Sequence, residues 1–114
     1  MRTLPVPGDD APKPRVRAVP RIPQKAPHVV EPGSFNDAQE VADKFKSGQP
    51  VAMDLVDADR ELSRRLIDFS SGLCYGLGGN MEKVANHVYL LTPSGVEVTG
   101  DERRKLADRS YLDD

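Results

Sequence analysis

Residues 51–100 read VAMDLVDADRELSRRLIDFSSGLCYGLGGNMEKVANHVYLLTPSGVEVTG. This stretch decides the fold. Val51, Met53 and Leu55 alternate with Ala52, Asp54 and Val56, a period of two that predicts a strand with two different faces. Asp57 or Asp59 then supplies an N-cap for a helix. Along that helix Leu62, Leu66, Phe69, Leu73 and Leu77 form an apolar stripe at helical spacing. Gly78-Gly79 breaks it. Met81–Val84 and Val88–Thr92 predict a hairpin turning at Ala85-Asn86-His87. Val88-Tyr89-Leu90-Leu91 is apolar without alternation, the pattern of a central strand covered on both faces. Pro93-Ser94-Gly95 turns the chain into a last short strand, Val96-Glu97-Val98.

Upstream, His28-Val29-Val30-Glu31 is a short strand candidate closed by Pro32-Gly33. Ser34 followed by Asp37 fits a capping box. Phe35, Ala38, Val41, Ala42 and Phe45 then recur as one helical face, which Ser47-Gly48 and Pro50 terminate. Downstream, Asp101-Glu102-Arg103-Arg104-Lys105-Leu106 predicts a charge-rich helix with few apolar anchors. The pattern as a whole predicts one α/β domain: a two-layer sandwich, with a mostly antiparallel sheet, two main helices and a C-terminal helix, forming a homodimer.

The 114 residues suffice for one domain. Seven of the ten prolines fall at positions 5, 7, 12, 14, 20, 23 and 27. Proline fixes φ and removes a donor, and large apolar residues are sparse there, so residues 1–27 are expected to form a disordered basic arm. A solubilising linker is the simplest account of it. Residues 28–108 are expected to form the core and 109–114 a frayed tail. Residues 1–32 carry a balance of +3 and residues 33–114 one of −5. The single cysteine, Cys74, excludes an intrachain disulfide and fits a cytoplasmic setting. No stretch has the roughly 20 apolar residues that a membrane-spanning helix needs.

Catalysis is not expected. Asp54, Asp57 and Asp59 lie where a strand ends and a helix begins, which scatters them, so no metal site is expected. Cys74 sits on an amphipathic helix with no histidine in a suggestive motif and reads as a small buried hydrophobe. Gly76-x-Gly78-Gly79 precedes a strand, which is the wrong context for a phosphate loop. No cofactor is implied.

Two surface features are more informative. Gly72 and Gly76 lie one turn apart in the second helix, with Asp68, Tyr75 and Arg65 nearby. Glycine inside a helix costs about 0.5–1 kcal/mol relative to alanine, so two in succession suggest that a second backbone approaches there. Simple helix fraying explains Gly76 well and Gly72 poorly. Lys83 and Tyr89 can lie on paired strands at one end of the hairpin and make a cation-plus-aromatic docking patch for a peptide. A surface lysine beside a packed tyrosine is the simpler reading of the residues alone.

The segments SFNDAQEVADKFKSGQPVAMDLVDAD, RRLIDFSSGLCYGLGGNMEKVANHVYLLTP and GVEVTGDERRKLA closely resemble the core of the SepF family, bacterial cell-division proteins that link the tubulin-like FtsZ ring to the membrane. The C-terminal charged helix resembles the actinobacterial type. The resemblance implies a dimeric α/β sandwich that binds the C-terminal tail of FtsZ. It implies a groove for that tail using Lys83 and Tyr89, the tyrosine standing where phenylalanine is common; Leu91, on the same strand, is expected to contribute to tail binding. It implies self-association through the helix bearing Gly72; Asp68, Tyr75 and Gly76, on the same side of that helix, are expected to share the dimer interface. Family members typically begin with an amphipathic membrane-binding helix. Residues 1–27 show no apolar stripe, so membrane association is expected to be indirect or to need a helix not recognisable here. The expectation is a cytoplasmic adaptor recruited to the division site, without nucleic-acid binding. The alternative is a regulatory α/β domain holding a small ligand at its dimer interface.

Overall fold

The computed structural model describes residues 22–112. The arm up to residue 21 and the last two residues lie outside it. Four strands and three α-helices follow in the order β1 (His28–Val30), α1 (Ala38–Lys46), β2 (Val51–Asp54), α2 (Arg60–Leu77), β3 (Asn80–Ala85), β4 (Val88–Thr92) and α3 (Gly100–Leu112). The strands form one sheet in the order β1-β2-β4-β3. β1 runs parallel to β2, and the other two pairings are antiparallel.

The alternation in β2 sets the layers. Val51, Met53 and Leu55 face α1 and α2, where they pack with Val41, Phe45, Leu66, Cys74 and Leu91. Ala52 points to the opposite face and packs with Val88, Leu90, Val98 and Leu106. All four residues of β2 are buried, as a strand covered on both sides must be. The C-terminal helix is therefore a third layer laid on the second face of the sheet, and the fold is a mixed α/β domain with helices on both sides.

Local signals placed the helix ends. Ser34 and Asp37 form the expected capping box around a 3-10 turn, Phe35–Asp37, that leads into α1. Asp59, not Asp57, caps α2 by accepting from the Leu62 amide at 2.8 Å. Gly78 ends α2 in the left-handed conformation, at φ 74°, and the Gly79 amide returns to Cys74 O at 2.8 Å. Gly79 has no room for a side chain: an ideal Cβ there would stand 2.4 Å from Phe45 Cζ and 2.8 Å from Thr92 O.

Three expectations need correction. Leu77 leaves the apolar stripe and is half exposed, because the buried line of α2 runs through Leu66, Ser70 and Cys74. Ser70 is fully buried and gives its hydroxyl to Met53 Sδ at 3.3 Å. Val96–Val98 does not join the sheet; Glu97 forms a single parallel bridge with Gln24, within the predicted arm. Pro23 has no amide with which to extend that pairing. Finally, α3 runs on to Leu112. Its Arg109 donates from Nε to the buried Asp54 at 2.7 Å and also pairs with Glu31. Arg103 holds Glu82 at 2.9 Å and Val98 O at 3.2 Å. The helix is fastened by two guanidinium groups around one buried leucine, Leu106.

Candidate functional site: the hairpin and the outer flank of the second helix

Lys83 and Tyr89 are direct partners across β3 and β4. The register continues inward, so that Val30, Met53, Tyr89 and Lys83 form one row across the sheet. A second row on the same face holds His28, Val51, Leu91 and Met81. Lys83 ends its row on the edge strand and is exposed, while Tyr89 is half buried against the core beneath α2. A cation at the rim beside an aromatic with a solvated end can hold both the charge and the apolar part of a peptide.

The hairpin is held rigidly. His87 turns it with φ 62°, and its carbonyl accepts from the Leu55 amide at 2.7 Å, tying the tip to the end of β2. A register shift between Lys83 and Ala85 bends β3 just past Lys83. Leu91, by contrast, is fully buried between Val51 and Met81. Its side chain cannot meet a peptide laid on the surface, so its assignment to a binding groove is corrected to a core role.

Asp68, Gly72, Tyr75 and Gly76 all lie on the exposed side of α2. A Cβ added at Gly72 or at Gly76 would meet nothing within 4 Å, so no close contact among the described residues requires glycine at either position. Tyr75 is 91% exposed, far beyond the usual exposure of a large aromatic. Arg65 belongs elsewhere: its guanidinium stacks over Phe35 at 4.3 Å, and Phe35 meets Phe69 edge-on.

Asp54 accepts from Val56 N and Arg109, whereas Asp59 caps α2. Cys74 is buried against Asn80 O, and that burial raises its thiol pKa above the ordinary range.

A groove of about 400 Å³ was not foreseen. Ala58, Arg60, Ser63, Arg64, Ile67 and His87 line it, between the first half of α2 and the hairpin tip. Its floor is mostly apolar, and its lining carries two arginines and no acid. The sequence signal was available: Arg60 and Arg64, like Ser63 and Ile67, are four residues apart and share a helix face. His87 completes the groove only through the hairpin, which spacing along α2 does not reveal.

Comparison with known proteins places this geometry in a family. The family model of cell division protein SepF matches residues 28–98. The cell division protein SepF of Rubrobacter xylanophilus is 50% identical over 99 residues, covering 87% of this chain and 53% of that protein. The SepF of a Mycobacterium species, strain KMS, is 43% identical over 82 residues, covering 72% of this chain and 37% of its own length. The chain thus spans about half, or less, of the length of these relatives. A SepF-like protein from Archaeoglobus fulgidus shares the fold, with a TM-score of 0.56 at 20% identity over 64% of this chain and 90% of that one. This chain belongs to the SepF family of cell-division proteins.

Proposed function

We propose that this SepF-family chain is a dimeric division adaptor that holds the C-terminal tail of FtsZ against the β3–β4 hairpin and so helps to organise the FtsZ ring at the division site. The cross-strand pairing of exposed Lys83 with half-buried Tyr89 carries the reading. In it, Lys83 takes a tail carboxylate and Tyr89 gives an apolar surface with a hydroxyl at its rim. The rigid turn supports it, because a preformed site loses less entropy on binding. The dimer reading rests on the open glycines of α2 and the exposed Tyr75 between them. Two α2 helices joined there would cover Asp68, Gly72, Tyr75 and Gly76 and leave the hairpin side of each helix free.

Isothermal calorimetry with an FtsZ tail peptide tests the proposal. The intact chain should bind it, and Lys83→Glu should weaken binding by about tenfold, ~1.4 kcal/mol, with a smaller salt dependence. No binding by the intact chain would reject the adaptor function. Unchanged affinity in the variant would remove Lys83 from the site.

A further inference from the structure

Ala58 and Ile67 in the groove at the start of α2 pack on the core, but its charged residues have no evident structural task. Its arginines hold no strand, helix end or buried acid in place. Among the described residues Arg64 pairs with Glu61 alone, at 3.0 Å, and both side chains are about two-thirds exposed or more. Such a pair contributes little and is easily exchanged for another partner. Among the described residues Arg60 makes no salt bridge. Ala58 and Ile67 supply the apolar part of its lining, and the far side is the pinned hairpin tip. The other two hollows are chemically different. One includes Glu97 together with Arg103, whose guanidinium is already committed to Glu82 and Val98. The other holds Phe45 and Leu77 beside a single Lys46. Of the three, this groove joins an apolar floor to uncommitted positive charge.

Its position relates it to the Lys83–Tyr89 pair. His87 lies two residues before Tyr89 on the same hairpin, and Ile67 and Tyr89 both pack on the core under α2. At 100° per residue, the centre of the flank holding Arg60, Ser63, Arg64 and Ile67 lies roughly 100° around the helix from the centre of the face holding Asp68, Gly72, Tyr75 and Gly76, with Arg64 at the edge the two share, one turn before Asp68. Self-association through the glycines would therefore leave the groove open beside the interface.

We infer that this groove is a second subsite for the same tail, in which Arg60 and Arg64 bind carboxylates of an acidic stretch while an apolar side chain between them rests on Ala58 and Ile67. This rests on the proposed binding of the FtsZ tail. It extends the site from one rim lysine to a trench along the hairpin side of α2, with an electrostatic anchor at each end.

The experiment compares four forms of the 114-residue chain by calorimetry at low and moderate salt: the unaltered chain, Lys83→Glu, the pair Arg60→Glu with Arg64→Glu, and the pair Arg60→Lys with Arg64→Lys. The probes are the FtsZ tail peptide and the same peptide with its carboxylates converted to amides. Circular dichroism checks each fold; acids near a helix start are compatible with its dipole. The expected result is at least tenfold weaker binding by the double glutamate variant at low salt, near-normal binding by the double lysine variant, and weak binding of the amidated peptide by all. If Lys83→Glu weakens binding and the double glutamate variant does not, the subsite is overturned and the adaptor reading stands. If the unaltered chain binds neither peptide, both fall.

Discussion

Replacing Gly72 and Gly76 with alanine should change stability and self-association in opposite directions. In a lone chain both added methyl groups enter open space. Alanine is the better helix former by about 0.8–1 kcal/mol in a helix interior, with a smaller gain expected for Gly76 in the last turn, so the double variant should gain ~1–1.5 kcal/mol. For a domain of this size that raises the melting temperature by roughly 5–10 °C. If a second α2 backbone rests on the same glycines, the methyl groups hold the two helices apart and association weakens by at least tenfold, ~1.4 kcal/mol. Thermal melts at submicromolar concentration, paired with sedimentation velocity from submicromolar to hundreds of micromolar, measure both effects. Higher stability at every concentration with an unchanged association constant would refute the reasoning. The glycines would then mark only a weak helix end.

Three further outcomes follow from the packing. Gly79→Ala should destabilise the fold by ~1–3 kcal/mol in urea, because Phe45 and the Thr92 carbonyl occupy the space. Arg109→Gln should cost ~1–3 kcal/mol, since Asp54 keeps only the Val56 amide, and amide exchange in α3 should quicken; unchanged exchange would show that Leu106 and Arg103 hold the helix without Arg109. Cys74 should resist iodoacetamide in the native state and react fast on unfolding. Its raised pKa stabilises the fold fully below the ordinary thiol pKa, and that contribution is lost as pH climbs through the folded value. A Cys74→Ser variant should flatten that alkaline decline.

The parts of the fold legible in the sequence were those governed by neighbours along the chain. Ser34 and Asp37 are three residues apart, and their reciprocal capping depends on nothing else. The two faces of β2 and the double coverage of β4 followed from side-chain period and apolar content. Distant partners were hidden. Arg109 meets Asp54 from 55 positions away, and Arg103 meets Glu82 from 21, so α3 looked poorly anchored. Leu91 and Tyr89 share a face, and alternation cannot tell them apart. The register does: Leu91 sits between Val51 and Met81, whereas Tyr89 has Lys83 at its open side. Lys83 and Tyr89 were recognisable because a hairpin makes them near neighbours. The groove was missed because its far wall belongs to that hairpin and not to α2.

The most direct test is chemical-shift mapping of the ¹⁵N-labelled chain with an FtsZ tail peptide. Saturable shifts should appear at Lys83 and Tyr89 and run along the same side to His87 and Ile67, while α3 stays unmoved. No shifts at a large peptide excess, or shifts confined to α3 and its side of the sheet, would contradict the account.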